Sequence, residues 1–390
     1  MNPSQCVHYN DGPLLSCERA ITKLKAFWCA STLICAAAIA SSHIATAAPA
    51  QIRHVFVLML ENQSFDSAFG AGSQAPYLAH ELPAHGALLT HYYAIGHYSL
   101  DNYIALISGQ GPNEATQEDC VSFDDFRLTG SGLDADGQAH GIGCVYPKSV
   151  PTLPDQLEAA RLTWRAYMED MGQDPKRERN VCGHSPLNRT DQLIAATPRD
   201  QYASKHNPFV YFHAIIDDPV RCAAHVVNLK RLTRDLQIEA TTPNYVFITP
   251  NLCHDGHDAP CVDGEPGGLI SIDAFLRHWV ALITTAPAFR HDGLLIVTFD
   301  ESDGSGIDGF TGCCGERPID GARYPPGLAG PGGGRVGAVL LSPAIKAGTV
   351  SDVPYNHYSL LRSIESIFQL PPLGFAADPQ LSAFGEDVFE

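Results

Sequence analysis

Short apolar runs rich in branched and aromatic residues recur along the chain, and segments with a helical repeat separate them. Runs of this kind are typical of strands that are buried on both faces of a parallel sheet. The five predicted strands cover residues 54–60, 209–215, 244–249, 294–299 and 335–342. Helical patterns cover residues 153–161, 221–237, 271–285 and 355–369. This alternation predicts an α/β fold, a layered sandwich with a central, mostly parallel sheet.

The beginning of the chain has the pattern of a secretory signal peptide. Three basic residues between positions 19 and 25 precede an apolar run over residues 26–40, and an Ala-x-Ala pattern follows. The apolar run is too short for a comfortable membrane span. We therefore expect residues 1–47 to be removed from a secreted or periplasmic protein that has no transmembrane span.

Residues 48–390 are predicted to form a single domain with two loop insertions. The segments near 110–150 and 302–334 are rich in Gly and Pro or Asp and show little periodicity. Eight cysteines also remain after residue 47. An even number of cysteines in an exported chain favours disulfide bonds, and Cys120–Cys144 and Cys253–Cys261 would each close a short loop. Buried free thiols are the alternative.

The formal net charge of −18 limits the partners that the chain can bind. A negative field of this size disfavours nucleic acid and anionic membrane surfaces. An anionic substrate would need a local positive feature, such as a metal ion or the N-terminus of a helix. The sequence leaves the oligomeric state open.

Polar side chains follow several predicted strands at the point where each strand ends. Ligands bind at the carboxyl ends of strands in open α/β sheets, and carboxylate, amide and imidazole groups bind divalent metals. The residues in question are Glu61, Asn62, His254, Asp255, His257, Asp258, Asp300, Glu301 and His357. Taken alone, each acid has a structural alternative, as a helix cap or as a paired buried carboxylate. Their position after separate strands favours a metal site.

Ser99 is the candidate nucleophile. It lies at the predicted start of a helix over residues 100–108 that ends at Gly109, so capping of this helix is the structural alternative. A phosphate would also bind where a helix exposes its N–H groups, and Asn102 lies one turn further on. A divalent metal would activate the hydroxyl and neutralise phosphate charge.

Five ordered motifs resemble those of the bacterial phosphoesterase family, which belongs to the alkaline phosphatase superfamily and includes secreted acid phosphatases and phospholipases C. They read LMLENQSFDSAFG, GHYSLDNYIALISG, TPNLCHDGHD, IVTFDESDG and GRVGAVLLSPAIKAGTVSDVPYNHYSLLRSIE. The segment YASKHNPFVYF is similar to the shorter secreted acid phosphatases of this family. The resemblance covers roughly residues 52–375 and implies an alkaline-phosphatase-like fold.

The resemblance also implies roles for individual residues. Ser99 would accept the phosphoryl group, Asn102 would hold a phosphate oxygen, and His257 would act as a further catalytic group. The metal ligands would come from Glu61, Asn62, Ser99, Asp255, Asp300, Glu301 and His357. The ion would be Mg, Ca, Mn or Zn. Gln63 and Asp101 depart from the family pattern, which often has Arg and Pro at these positions, and Asp101 adds negative charge beside the phosphate site.

The implied function is that of a metal-dependent acid phosphatase acting on phosphomonoesters through a phosphoserine intermediate. A phospholipase C that cleaves phospholipid diesters is the first alternative. A secreted metal- or phosphate-binding protein without catalysis is the second. The motif SLDNY lacks the Pro and Arg that follow the nucleophile of sulfatases, which argues against that activity.

Overall fold

The computed structural model describes residues 51–319 and 322–389, so the predicted signal peptide lies outside the described residues. An eight-stranded sheet forms the centre, in the order β11-β2-β10-β9-β1-β8-β6-β7. The strands of this sheet are β1 (His54–Leu60), β2 (Ala87–Leu89), β6 (Trp164–Met168), β7 (Val226–Asn228), β8 (Tyr245–Thr249), β9 (Gly293–Phe299), β10 (Ala338–Leu341) and β11 (Thr349–Ser351). The short strands β3 (Tyr92–Tyr93) and β12 (Tyr355–Asn356) pair with each other, as do β4 (Arg127–Leu133) and β5 (Ala139–Ile142).

Seven of the eight strands in this sheet run in one direction. Strand β1 is parallel to both β8 and β9, and β6 and β7 continue the parallel arrangement. Strand β10 is antiparallel to both of its neighbours. Every residue of β1, β8 and β9 is buried, which requires cover on both faces of the sheet. The predicted α/β class, a layered sandwich with a mostly parallel central sheet, is confirmed.

Ten α-helices accompany the strands within the described residues. They are α1 (Phe65–Phe69), α2 (Leu82–His85), α3 (Ser99–Ser108), α4 (Leu153–Ala159), α5 (His213–Ile216), α6 (Pro219–His225), α7 (Leu232–Asp235), α8 (Gly268–Thr285), α9 (Pro287–Asp292) and α10 (His357–Ile367). Helix α10 packs against α3, and α8 packs against α9. In the part of the chain that the structure describes, no helix combines the length and apolar character that crossing a bilayer requires.

Two predicted elements are wrong. The apolar run over residues 209–215 is not a strand, because it folds as a 3₁₀ turn (Pro208–Tyr211) followed by α5. Its side chains are largely buried, and periodicity alone does not distinguish a short buried strand from a short buried helix. The predicted helix over 221–237 is divided, because Val226 and Val227 leave α6 to form β7 at the edge of the sheet.

The other predicted strands and helices exist, with shifts of a few residues at their ends. The predicted strand over 335–342 is shorter and runs antiparallel, while β2 and β6 were not predicted. Both predicted disulfide bonds are present, together with Cys182–Cys222 and Cys313–Cys314. The eight cysteines after residue 47 are therefore all paired, and the free-thiol alternative is wrong.

Candidate active site at the carboxyl edge of the sheet

The parallel register brings the ends of β1, β8 and β9 to one edge of the sheet. Leu60, the last residue of β1, is in register with Phe299, the last residue of β9. The backbone N–H of Glu61 donates to the carbonyl of Asp255, and that of Asp300 donates to the carbonyl of Leu60. Three acidic residues that are distant in sequence, Glu61, Asp255 and Asp300, therefore lie side by side, as their position after separate strands predicts.

Glu61 is the centre of this group and contacts the candidate nucleophile. Its Oε2 accepts a hydrogen bond from the Ser99 hydroxyl at 2.9 Å, and its Oε1 accepts one from the Tyr103 hydroxyl at 2.5 Å. The side chain is fully buried. Burial, and then the charges of Asp300 and Asp255, raise the pKa of Glu61 well above its usual range. Glu61 therefore favours either a proton or a nearby cation.

Ser99 is the first residue of α3, and its hydroxyl does not cap the helix. Tyr98 occupies the N-cap position, and no side chain caps the helix there. The Ser99 hydroxyl donates its hydrogen bond to the Glu61 side chain rather than to a backbone group. The structure thus does not support the capping alternative. Gly109 ends the helix with φ +67°, the left-handed conformation that favours glycine.

Asp255 and Asp300 complete the acidic group. Asp255 Oδ1 accepts the backbone N–H of His257 at 2.8 Å, and Asp300 Oδ1 accepts those of Asn62 and Glu301 at 3.1 and 2.6 Å. Burial and the neighbouring charge of Asp300 raise the pKa of Asp255. Burial, followed by the charge of Glu301, raises the pKa of Asp300 to about 8. Bringing three buried carboxylates together is costly unless a cation or protons neutralise them.

Sequence reasoning missed His206, which lies in the 3₁₀ turn Ser204–His206. Its Nδ1 lies 3.0 Å from Asp255 Oδ2, and its Nε2 lies 3.4 Å from Glu61 Oε2 without forming a hydrogen bond there. The ring stacks on that of Tyr103, with centroids 5.4 Å apart. Burial, and then the charges of Lys205 and His257, lower the pKa of His206 well below its usual range. A neutral imidazole is the form that binds a metal.

Lys205 is the second residue that the sequence did not single out. Its Nζ donates to Asp119 Oδ2 at 3.0 Å and lies 3.3 Å from His257 Nε2. Burial by itself lowers the pKa of Lys205, but the charges of Asp119 and Glu61 outweigh it and raise the pKa above its usual range. The site therefore contains a fixed, buried cation. The segment YASKHNPFVYF, which resembles acid phosphatases, was the signal that could have indicated both residues.

His257 lies at the margin of the acidic group. Its Nδ1 is 2.8 Å from Asp258 Oδ1, its Nε2 faces Lys205, and its ring centroid is 5.7 Å from that of His206. The side chain is half-buried and lines the adjacent cleft. His257 is thus placed where it could contact a ligand.

Asn102 and Asn62 have backbone contacts that hold the site in shape. The Asn102 oxygen accepts the N–H groups of Ile95 and Gly96, and its amide nitrogen donates to the carbonyls of Gly96 and Tyr98. Asn102 therefore holds the loop before Ser99, and its role towards phosphate remains a prediction. Asn62 has φ +54°, and its amide nitrogen lies 3.4 Å from Glu61 Oε2.

Glu301 and His357 are close to Asp300, but their polar atoms already have protein partners. Glu301 Oε2 lies 2.5 Å from His97 Nδ1 and also accepts the backbone N–H of Tyr98. His357 Nε2 donates to the carbonyl of Asp300 at 2.6 Å, and its Nδ1 accepts from the Tyr92 hydroxyl at 3.0 Å. Burial lowers the pKa of His357 to about 4. In this conformation both residues support the end of β9, and their predicted role as metal ligands remains a prediction.

The chemistry of the acidic group fits a divalent cation. Single ligand atoms from Glu61, His206 and Asp255 lie within 4.8 Å of one another, and all three residues are buried. Oxygen ligands with one imidazole suit several divalent ions, so the arrangement does not select one of them. His254, in contrast, points away from this group and pairs with Glu169 at 2.9 Å.

An open cleft of about 580 Å³ lies beside the group. Asn62, His257 and Glu301 contribute polar atoms to its lining, while Tyr98, Phe310 and Leu328 contribute apolar surface. Tyr98 and Asn62 are the chain neighbours of Ser99 and Glu61, so the cleft borders the two loops that carry the Ser99–Glu61 pair.

Curated relatives of the chain are phosphatases. It is 27% identical over 328 residues to a probable acid phosphatase of Kluyveromyces lactis, an alignment that covers 83% of this chain and 60% of the relative. It is 28% identical to a phosphate-repressible acid phosphatase of Penicillium chrysogenum, covering 81% and 59% of the two chains. The chain thus spans about six tenths of the length of these acid phosphatases. A phosphatidylinositol-3-phosphatase of Mycobacterium tuberculosis is 25% identical, with 86% and 83% covered.

Solved structures with a similar chain course have much lower identity. A protein of the alkaline phosphatase superfamily from Vibrio parahaemolyticus is 12% identical, covers 87% of this chain and 72% of its own, and has a TM-score of 0.47. The lipoteichoic acid synthase LtaP from Listeria monocytogenes is 9% identical, covers 86% and 77%, and has a TM-score of 0.48. The model of the phosphoesterase family matches residues 72–371, which is most of the chain. The chain therefore belongs to the phosphoesterase family, as its motifs predict.

Proposed function

We propose that this protein is a metal-dependent phosphatase that hydrolyses phosphomonoesters through a phosphoserine intermediate. The observation that carries the proposal is the contact between the Ser99 hydroxyl and Glu61 Oε2, 2.9 Å apart, inside a buried group of carboxylates. The Ser99 hydroxyl does not cap α3, and it donates to a buried acid at the carboxyl edge of the sheet. The acid phosphatase relatives support the same reading.

Glu61, Asp255, Asp300 and His206 would hold the divalent cation. When bound, such an ion supplies positive charge that stabilises phosphate oxygens and favours the deprotonated serine. The protein residues orient the reacting hydroxyl. The Tyr103 hydroxyl donates a hydrogen bond to Glu61 Oε1, and the Ser99 hydroxyl donates one to Glu61 Oε2. This fixes the direction from which Ser99 Oγ would attack phosphorus.

Lys205 and His257 would bind the phosphoryl group and assist the leaving alcohol. The Lys205 ammonium is buried and held by Asp119, so it supplies positive charge without reorganisation. His257 Nε2, which faces this ammonium and the cleft, would donate a proton to the leaving alkoxide. In the second step a water molecule would attack the phosphoserine, and His257 would take a proton from the water. The bond from phosphorus to Ser99 Oγ would break as phosphate leaves, and Oγ would recover the proton that it gave up in the first step.

The buried ammonium also favours a monoester over a diester. A phosphomonoester carries one more anionic oxygen than a diester, and that oxygen needs its own cationic or hydrogen-bonding partner. Lys205 is a cation of the required kind, in addition to any metal ion. A phospholipase C would not need it. The phospholipase C alternative is therefore an outcome of the test below rather than a second proposal.

We also propose that the protein is exported, as a single domain over residues 48–390. The four disulfide bonds support an oxidising compartment. The N-terminal sequence of the protein recovered from the periplasm or the medium would test the predicted cleavage after residue 47. An uncleaved N-terminus on protein retained in the cytoplasm would contradict it.

The experiment that tests the activity compares wild-type protein with Ser99→Ala. A soluble monoester such as phenyl phosphate should be hydrolysed by the wild type, and Ser99→Ala should lower kcat by at least ~10³-fold. Ser108→Ala is the matched control, because Ser108 is a buried serine of the same helix whose hydroxyl donates to a backbone carbonyl. With ³²P-labelled substrate and an acid quench, label should remain on the wild-type chain and be absent from Ser99→Ala.

Four results would contradict the proposal. Full activity in Ser99→Ala would remove the nucleophile, and activity that a chelator does not reduce would remove the metal. Preferential hydrolysis of phosphatidylcholine over the monoester would favour phospholipase C instead. Tight binding of phosphate with no turnover of any ester would support the non-catalytic alternative.

A further inference from the structure

Two exposed aromatic side chains border the cleft next to Ser99. Tyr98 and Phe310 are 37% and 38% exposed, and both line the cleft. Phe310 is the most exposed phenylalanine among residues 51–319 and 322–389. Single exposed apolar residues are common, but two aromatic rings at the mouth of one polar cleft are a local concentration of apolar surface.

The backbone at Tyr98 is strained, and a strained residue is more often kept for function than for the fold. Tyr98 has φ +93°, in a region that favours glycine, and such a conformation costs about 1–3 kcal/mol for other residues. Glu301 accepts the backbone N–H of Tyr98, and the Asn102 amide donates to its carbonyl. A glycine at this position would satisfy both hydrogen bonds without strain. The tyrosine side chain is therefore kept at a conformational cost.

Phe310 is attached to the same region through His97. The two rings are 4.8 Å apart, and His97 is itself fixed by Glu301 and by the carbonyl of Gly309. Gly304 leaves room for the phenyl ring, because a Cβ there would lie 3.3 Å from Phe310 Cζ. Phe310 is thus held in place on the rim although its outer face is exposed.

We propose that Tyr98 and Phe310 bind the alcohol portion of the substrate, and that the preferred substrates are phosphomonoesters of alcohols that carry an aromatic or similarly apolar group. This inference rests on the proposed function, because it describes the part of the substrate that leaves when Ser99 takes the phosphoryl group. The acidic cleft repels a second anionic group, and the two rings offer flat apolar surface to the alcohol. Esters of small polar alcohols would leave this surface unused.

The test compares 2-phenylethyl phosphate with ethyl phosphate. The two alcohols have similar acidity, so the difference between their kcat/KM values reports how the phenyl group is bound rather than how easily the bond breaks. The wild type should prefer 2-phenylethyl phosphate by roughly tenfold to fiftyfold. Tyr98→Gly, which suits the local backbone, and Phe310→Ala should each lower this ratio by about fivefold. The ratio does not depend on the fraction of active protein in a preparation.

Tyr324→Ala is the matched control. Tyr324 is also 37% exposed, but it does not line the cleft and packs under Arg323. Its removal should leave the ratio unchanged. Equal kcat/KM for the two esters in the wild type, or an unchanged ratio in both cleft variants, would overturn the inference and leave the proposed function intact. Absence of turnover for either ester in the wild type would overturn the proposed function, and the inference with it.

Discussion

Two of the places where this molecule buries acidic residues have opposite surroundings. Asp235 Oδ2 accepts hydrogen bonds from Arg165 Nη1 at 2.5 Å, the Tyr167 hydroxyl at 2.8 Å and Arg231 Nε at 3.3 Å. At the other region, Glu61, Asp255 and Asp300 contact hydroxyl groups, backbone N–H groups and one neutral imidazole. Burial raises the pKa of all three acids, and the charge of Asp300 further raises those of Glu61 and Asp255. Asp235 is thus paired with two arginines, whereas Glu61, Asp255 and Asp300 lie beside one another.

The difference indicates which region carries function. A buried ion pair with its hydrogen bonds satisfied is consistent with a structural role. Three buried carboxylates that face one another cost free energy of folding, and proteins retain such an arrangement where it binds a cation or performs chemistry. Replacing the acids one at a time should therefore have opposite effects in the two regions. The following predictions begin with the largest expected effect.

Asp300→Asn should remove activity and stabilise the metal-free protein. Its Oδ1 would still accept the N–H groups of Asn62 and Glu301, and the new amide could donate to Glu61. Loss of a metal-binding carboxylate should lower kcat/KM by about 10³-fold. In the presence of chelator at pH 9, the free energy of unfolding should rise by roughly 1–3 kcal/mol. Steady-state kinetics and urea denaturation measure the two effects.

The pH dependence follows from the pKa of Asp300, which burial and Glu301 raise to about 8. A raised pKa means that the protonated form is favoured in the folded state, so stability falls as the pH rises through about 8. Asparagine resembles the protonated acid. The variant should therefore gain stability over the wild type at high pH and show no gain below about pH 4. A less stable metal-free variant at pH 9 would show that the acidic group is not under strain.

Asp235→Asn should have the opposite pair of effects. It leaves the partly buried guanidinium of Arg165 with a neutral partner, and the free energy of unfolding should fall by roughly 2–3 kcal/mol. Activity should remain within about twofold of the wild type when it is measured well below the melting temperature. Asp136→Asn is the control, because Asp136 pairs with Arg317 at the surface and its loss should cost less than about 0.5 kcal/mol. A large loss of activity in a folded Asp235→Asn protein would erase the distinction between the two regions.

Lys205→Met should show that Lys205 contributes to activity, unlike the arginines that pair with Asp235. Removal of the buried ammonium should lower kcat/KM for a phosphomonoester by about 30-fold and for a diester by only about threefold, because the diester lacks the extra anionic oxygen. Lys205→Arg should keep part of the activity, since it keeps the charge beside Asp119. Lys230→Met is the control, because Lys230 is exposed and its Nζ donates to the neutral side chain of Gln173. Equal losses for both classes of ester would argue that Lys205 is structural.

Much of the acidic group could be predicted from the sequence, because an apolar run that ends directly on an acidic residue is visible in the local sequence. The runs that end before Glu61 and Asp300 are apolar throughout and form β1 and β9, and parallel pairing then brings their ends together. Ser99 was found in the same way, from a local pattern at a helix start. The paired state of Asp235 has no such signal, since Arg165 and Asp235 are joined only by tertiary packing.

Residues that reach the site from irregular structure were not predicted. His206 lies in a 3₁₀ turn beside the run over 209–215, which the apolar pattern assigned to a strand. Placed before a strand, His206 would lie at the opposite edge of the sheet from Glu61. The turn instead packs against α3 and delivers His206 and Lys205 to the carboxyl edge. Aromatic content showed that this segment is buried but not what conformation it adopts.

Glu365→Gln should have the smallest effect on stability and none on activity. It tests whether a raised pKa is by itself a sign of function. Glu365 is buried in α10, accepts the N–H of Leu373 at 2.9 Å, and burial raises its pKa to about 8. As for Asp300, stability is lost as the pH rises through the raised pKa, so glutamine should stabilise the protein at pH 9 by about 1 kcal/mol and give no gain below about pH 4.5. The effect is smaller because no second carboxylate faces Glu365 and Arg362 is nearby.

Activity should be unchanged in Glu365→Gln, because Glu365 lies about two turns along α10 from His357 and hydrogen-bonds to the backbone of Leu373. Urea denaturation at several pH values and the kcat/KM for one phosphomonoester measure both quantities. If the variant gains stability at high pH and keeps its activity, burial alone accounts for a raised pKa, and the convergence of several acids on one hydroxyl is what distinguishes the site. Loss of activity in the folded variant would mean that isolated buried acids in this fold also contribute to function.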